Sequence, residues 1–228
     1  MRATRLRGSL HLMLVLTSLC AGASAQDIDF DFDPPPAQSQ QSQADSLDLE
    51  FLDVAISYAV SDTTKLFGML AHEPDLGADL VVLDATHRLD ASWAIGGSYI
   101  FLDARDGPES HTWRTHVDLH FNTGRLKWVI RNAWDYRLSA GGSEIRNRFR
   151  SRFRAEYGGK AWGRPYFVYG FVEPILDLTD EGLSNVNASV GTYFQVYQRV
   201  YFNMLYFRSE NRRGVDANLT SLGLVFVF

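Results

Sequence analysis

Five arginines recur at every second position within Ile145 to Tyr157: Arg146, Arg148, Arg150, Arg152 and Arg154. Arginine stays charged at any physiological pH and offers a planar fork of donors to carboxylate, sulfate or phosphate. On a helix, a spacing of two would scatter the five around the circumference. On a strand it gathers them on one face and leaves Phe149 and Phe153 on the other. Arg114, Lys127 and Arg131, on neighbouring strands of the pattern, could extend the basic wall. Two chemistries fit such a wall. The arginines could neutralise inward carboxylates such as Asp118, Asp135, Glu156 and Glu173 in a closed interior, because buried charge is tolerated only when paired. Alternatively, part of the row could face a water-filled lumen and guide small anionic solutes.

His116, Asp118 and His120 form the other constellation with chemical potential. Alternate positions on one strand put the two imidazoles on one face, about 7 Å apart at the backbone. His116 and His120 are therefore weak candidates for a metal ion or a proton relay, set against a satisfied polar face beside the arginine strand. No third strong ligand is evident. No serine or aspartate stands in a recognisable Ser–His or Asp–His context, and no phosphate-binding glycine loop is present. No catalytic residue and no cofactor are assigned. A lipid-modifying or hydrolytic enzyme is the least favoured of the function classes.

The elements that must hold these residues are strands. From about Leu47 the chain alternates apolar and polar residues with a period of two, and no 3.6-residue stripe persists. Strands are expected near 48–61, 64–72, 78–87, 92–103, 111–122, 125–137, 144–157, 164–173, 184–196, 199–209 and 217–228. In the fifth, Trp113, Thr115, Val117, Leu119 and Phe121 share one face, while Arg114, His116, Asp118 and His120 share the other. A strand of about 11 residues at roughly 3.3 Å each, tilted by about 40°, matches the apolar height of an outer membrane. Connections alternate between short ones, such as Asn122–Gly124, and longer polar ones, such as Arg105–Ser110. Aromatics fall near both ends: Phe101, Trp113, Trp134 and Tyr136 toward one interface, and Trp93, Phe121, Trp128 and Phe194 toward the other.

The first 25 residues read as a secretory signal: Arg2, Arg5 and Arg7, an apolar run from Leu10 to Leu19, and a cleavage site after Ala25. Cleavage would remove Cys20, the chain's one cysteine, excluding disulfides and thiol chemistry from the mature protein. It would also remove three positive charges, taking the formal net charge from −5 to −8, which weighs against nucleic acid as a partner. Residues 26–46 are an acidic, then Pro/Gln/Ser-rich segment. Within it Asp27 to Asp33 alternates as DIDFDFD, either a solvated acidic tail or a short first strand. The expected architecture is all-β: a monomeric antiparallel transmembrane β-barrel over 47–228. It has 10–12 strands: single-chain bacterial barrels have even numbers, so either 27–33 is a twelfth strand, which is preferred, or there are ten.

The final strand alternates Leu222, Leu224, Phe226 and Phe228 with Ser221, Gly223, Val225 and Val227, ending the chain in phenylalanine. This resembles the C-terminal signature of bacterial outer-membrane barrels. Together with the strand RNRFRSRFRAEY and the run from Pro165-Tyr166 to Glu173, the span 48–228 resembles an uncharacterised family of small bacterial outer-membrane barrels. A weaker similarity is to the small monomeric porins for acidic oligosaccharides, whose lumens carry arginine tracks. These resemblances imply a Gram-negative outer membrane as location. They imply outer-membrane lipid, lipopolysaccharide and the barrel-assembly machinery as partners. The function they suggest is a narrow porin-like channel for small anionic solutes, with a closed structural or anchoring barrel as the alternative.

Overall fold

A computed structural model describes residues 46–75, 77–105, 109–139, 145–179, 182–212 and 216–228. The leader, the cleavage site and the possible strand at 27–33 lie outside the described residues. Eleven strands follow in order: β1 (Ser46–Ala59), β2 (Thr64–Glu73), β3 (Ala78–Arg88), β4 (Trp93–Ala104), β5 (Ser110–Thr123), β6 (Leu126–Ser139), β7 (Ile145–Ala161), β8 (Arg164–Asp177), β9 (Gly182–Tyr197), β10 (Val200–Asn211) and β11 (Asp216–Val227). Each pairs antiparallel with the next, and β1 pairs with β11 to close a barrel.

The closure corrects the preference for twelve strands. In a meander with an odd number of strands, the first and last run in the same direction. They can close only by parallel pairing, and they do so here from Ser46↔Asp216 to Ser57↔Val227. Parallel bonds are slanted but still satisfy the edge. Phe228 extends this seam: its N–H donates to Ser57 O at 2.9 Å, and its carbonyl accepts from Ala59 N–H at 3.0 Å. The ring is complete without residues 27–33.

Ser46 and Phe228 consequently mark opposite ends of the barrel. The connections at the Phe228 end span two to four residues and those at the Ser46 end four or five, so the expected contrast in length is small. Two strands run further than the sequence suggests. Gly158 and Gly159, expected in a turn, stay in β7 opposite Phe167 and Tyr166. The reversal comes at Trp162 and Gly163, with φ of 50° and 76°. Positive φ at both central residues is the hairpin geometry matching strand twist, and glycine adopts it without strain. β8 continues past Glu173 through Pro174. Its pairing with β7 is interrupted between Phe153↔Val172 and Arg150↔Ile175, where Pro174 has no N–H to give.

Alternation sorts side chains in a sense opposite to that of a water-soluble protein. On β5 Trp113 is 56% exposed while Arg114 beside it is 2% exposed, and on β7 Phe153 is 50% exposed while Arg152 is 1%. Interior positions divide into two halves. On β5–β8 they are largely charged. On β1–β4 and β8–β11 they pack an apolar cluster that includes Phe51, Met69, Leu80, Leu102, Leu205, Phe207 and Leu219. Outward aromatics meet near both ends: Tyr99 with Trp113 at 4.6 Å toward the Ser46 end, and Phe121 with Trp128 at 6.2 Å toward the Phe228 end.

Candidate functional site

Register decides what the alternating arginines meet. Arg114, Asp135 and Arg148 are directly opposed across β5, β6 and β7, and Arg148 opposes Asp177 of β8. Four residues further along β5, past His116, Asp118 opposes Arg131. Opposite charges face each other at these positions, which is the favourable arrangement for directly opposed inward side chains, whereas Arg131 also opposes Arg152 and Arg137 opposes Arg146.

The resulting ladder of ion pairs runs along the inner wall. Arg114 grips Asp135 with both arms, Nε donating to Oδ1 at 2.5 Å and Nη2 to Oδ2 at 2.8 Å. Arg150 bridges Asp135 to Glu173, at 3.3 Å and 2.5 Å. Arg152 Nε also donates to Glu173 at 3.1 Å, and Asn187 Nδ2 does so at 3.2 Å. The interruption at Pro174 lies beside this carboxylate. Arg131 holds Asp118 bidentately, both bonds at 2.8 Å. Toward the Phe228 end, Glu156 receives Arg154 at 2.6 Å and Lys127 at 3.4 Å. Arg152 and Arg154 also lie over the rings of Phe171 and Tyr169, at 4.3 Å and 4.4 Å, the distance of a cation–π contact.

Of the eight arginines and lysines singled out in the sequence, Arg114, Arg131, Arg150, Arg152 and Arg154 are buried and face inward. Arg148 sits 3.9 Å from Asp177 and is half-buried, as is Arg146, which opposes Arg137 nearer the Ser46 end. Lys127 is half-buried near the Phe228 end. The carboxylates Asp118, Asp135, Glu156 and Glu173 meet these cations.

The histidines share the inner face but not a centre. His116 is buried, its Nδ1 3.9 Å from Asp84 and its Nε2 3.8 Å from Asp118, so its two nitrogens look toward different carboxylates. His120 lies further along, lining a cavity at the Phe228 end. Among the described residues, no group of three or more His, Cys, Asp or Glu is placed to hold a metal ion. Ser98 donates to Asp84 at 2.6 Å, and so does Thr86 at 2.9 Å. The Thr86 hydroxyl also stands 3.5 Å from His116 Nε2, so Asp84, Thr86 and His116 form one polar cluster.

The sequence reading missed Asp84 and the aromatic floor of Tyr169 and Phe171. The period-two alternation of β8 carried the signal for the floor. It also missed a vestibule of about 870 Å³ at the Phe228 end, lined by Lys65, Arg88, Arg125, Lys127 and Lys160 together with Asp62 and Glu156. A narrower cavity of about 70 Å³ runs from this region to Asp118, Arg131 and Arg154 at the near end of the ladder.

No protein-family model matches the chain, and no curated protein matches it. A bacterial polysaccharide outer membrane secretin is similar in structure, with a TM-score of 0.46 and 9% identity over 71% of this chain. The match spans 63% of the secretin chain, under two thirds of its length, and a likeness at this level carries no argument about fold or function.

Proposed function

We propose that the protein is a monomeric β-barrel of the bacterial outer membrane, closed at mid-height by its ionic ladder and serving as a structural or anchoring barrel. The observation that carries the location is the inversion of burial. A chain that buries Arg114 and Arg152 while exposing Trp113 and Phe153 gains by it only where the surroundings are apolar. Exposed charges such as Asp48, Glu50, Asp79, Arg208 and Glu210 gather at the Ser46 end, where the outward band would leave the hydrocarbon. The Phe228 end would face the periplasm and the Ser46 end the cell surface.

Closure is supported by the pairing. Arg114, Asp135, Arg150, Arg152 and Glu173 are each at most 2% exposed, and the opposite interior half is filled chiefly by apolar side chains, with Asp53, Asn203 and Ser221 buried among them. A porin-like pathway for small anions is the second reading, favoured by the basic vestibule standing in line with the ladder. It requires the ladder to part. Reconstitution into planar bilayers distinguishes the two. Heat-modifiable protein recovered with outer membranes, yet silent in the bilayer, is the expected outcome. Steady anion-selective conductance would replace the closed reading with the porin, and recovery as a soluble periplasmic protein would end both.

A further inference from the structure

We propose that the vestibule at the Phe228 end is a binding site for a phosphate-bearing anion. Five cations line it, each from a different place in the fold: Lys65 on β2, Arg88 on β3, Arg125 in the turn after β5, Lys127 on β6 and Lys160 on β7. Two carboxylates lie among them, Asp62 and Glu156, and Glu156 is already engaged by Arg154 and Lys127. The lining therefore carries an excess of positive charge around a concave mouth, which concentrates counter-anions there.

The residue types narrow the ligand. Two guanidinium forks and three ammonium groups suit tetrahedral oxyanions, which accept several charge-assisted bonds at once. Surface barrel residues could collect positive charge by chance, but here the cations converge on one cavity rather than spreading around the rim. A volume of about 870 Å³ exceeds the needs of a bare phosphate and leaves room for the group a phosphate ester carries. Pro165 and Phe167 in the same lining supply an apolar surface for that group. The phosphate could belong to a soluble ester or to the headgroup of a phospholipid in the adjacent leaflet. The recognition chemistry is the same.

The test uses the full mature chain folded in zwitterionic detergent, with inorganic pyrophosphate titrated calorimetrically. The comparison is with the double variant Arg125→Ser/Lys160→Ser, which leaves the ladder untouched, and with Arg208→Ser at the opposite end as control. Saturable binding is expected in the native and control proteins. It should weaken by roughly tenfold or more in the double variant and fall steeply with salt. A second arm places the proteins in nanodiscs containing phosphatidylglycerol and detects retained lipid by native mass spectrometry. Lipid retained by the native protein, lost in the double variant and displaced by pyrophosphate identifies a headgroup as the source. Pyrophosphate binding without lipid retention identifies a soluble ester. Absence of saturable binding in both arms, or equal affinity in native and double-variant proteins, overturns the proposal. Folding of each variant is checked by gel shift. Conductance plays no part in the readout, so the closed-barrel reading can fail while this site stands.

Discussion

The barrel interior is filled in two ways, and the halves meet along β8. On one side Leu80, Leu205, Phe207 and Leu219 fill space as any core does. On the other, Arg114, Asp135, Arg150, Glu173 and Arg152 fill it with a chain of ion pairs. An apolar half tolerates any neighbour of suitable volume. The ionic half does not. A slide of two residues between β6 and β7 would keep every side chain facing the same way but bring Arg150 opposite Asp135 or Arg131 in place of Ala133. The charged half thus specifies register where the hydrophobic pattern alone cannot.

That contrast can be broken most severely at Glu173. Glu173→Leu leaves Arg150 and Arg152 without their shared carboxylate and should cost about 3–5 kcal/mol of stability, read by urea unfolding in micelles. Replacing ladder partners together with apolar residues of similar volume should recover most of that loss. In the apolar half, Leu205→Ala should cost about 2–4 kcal/mol through the cavity it leaves, whatever the pH or salt. Gly96→Ala probes close approach on the ionic side. An added Cβ would lie 2.6 Å from Ala85 O, with His116 Nε2 closer still, so roughly 1–3 kcal/mol of overpacking is expected.

The smallest effect lies outside the barrel wall, in the turn between β3 and β4. The N–H groups of Ser92 and Trp93, at 2.6 Å and 2.8 Å, hold the Asp90 carboxyl below its ordinary value. The stabilisation from a depressed carboxylate is complete above the unfolded value of about 3.9 and is lost as pH falls through the folded one. Native protein should therefore lose ground relative to Asp90→Asn only below about pH 4, in unfolding midpoints measured against pH.

The positions and directions of the strands from β1 to β11 were legible because a period of two persists over most of the chain after Leu47. The inward orientation of the arginines and the identity of Asp118, Asp135, Glu156 and Glu173 as carboxylates within reach were legible for the same reason. Which arginine meets which carboxylate was not, since pairing is set by register between strands. The parallel seam was hidden by an expectation of even strand number, which presumes antiparallel closure. Gly158 and Gly159 suggested a turn, yet they lie within β7, where the rings of Phe167 and Tyr166 fill the space beside them. The vestibule left no signal at all: its cations are scattered from Lys65 to Lys160 and come together only when the ring closes.

A double-mutant cycle at Asp118 and Arg131 tests the closed ladder most directly. This pair is bidentate, with side chains 2% and 7% exposed. Asp118→Met, Arg131→Met and the double variant are compared by unfolding in micelles. A closed, paired interior expects each single change to cost about 3 kcal/mol or more and the double change much less, a coupling of at least about 1.5 kcal/mol. Singles that are nearly silent and additive to within about 0.5 kcal/mol would mean that both groups stand in water, and the ladder would not close the barrel.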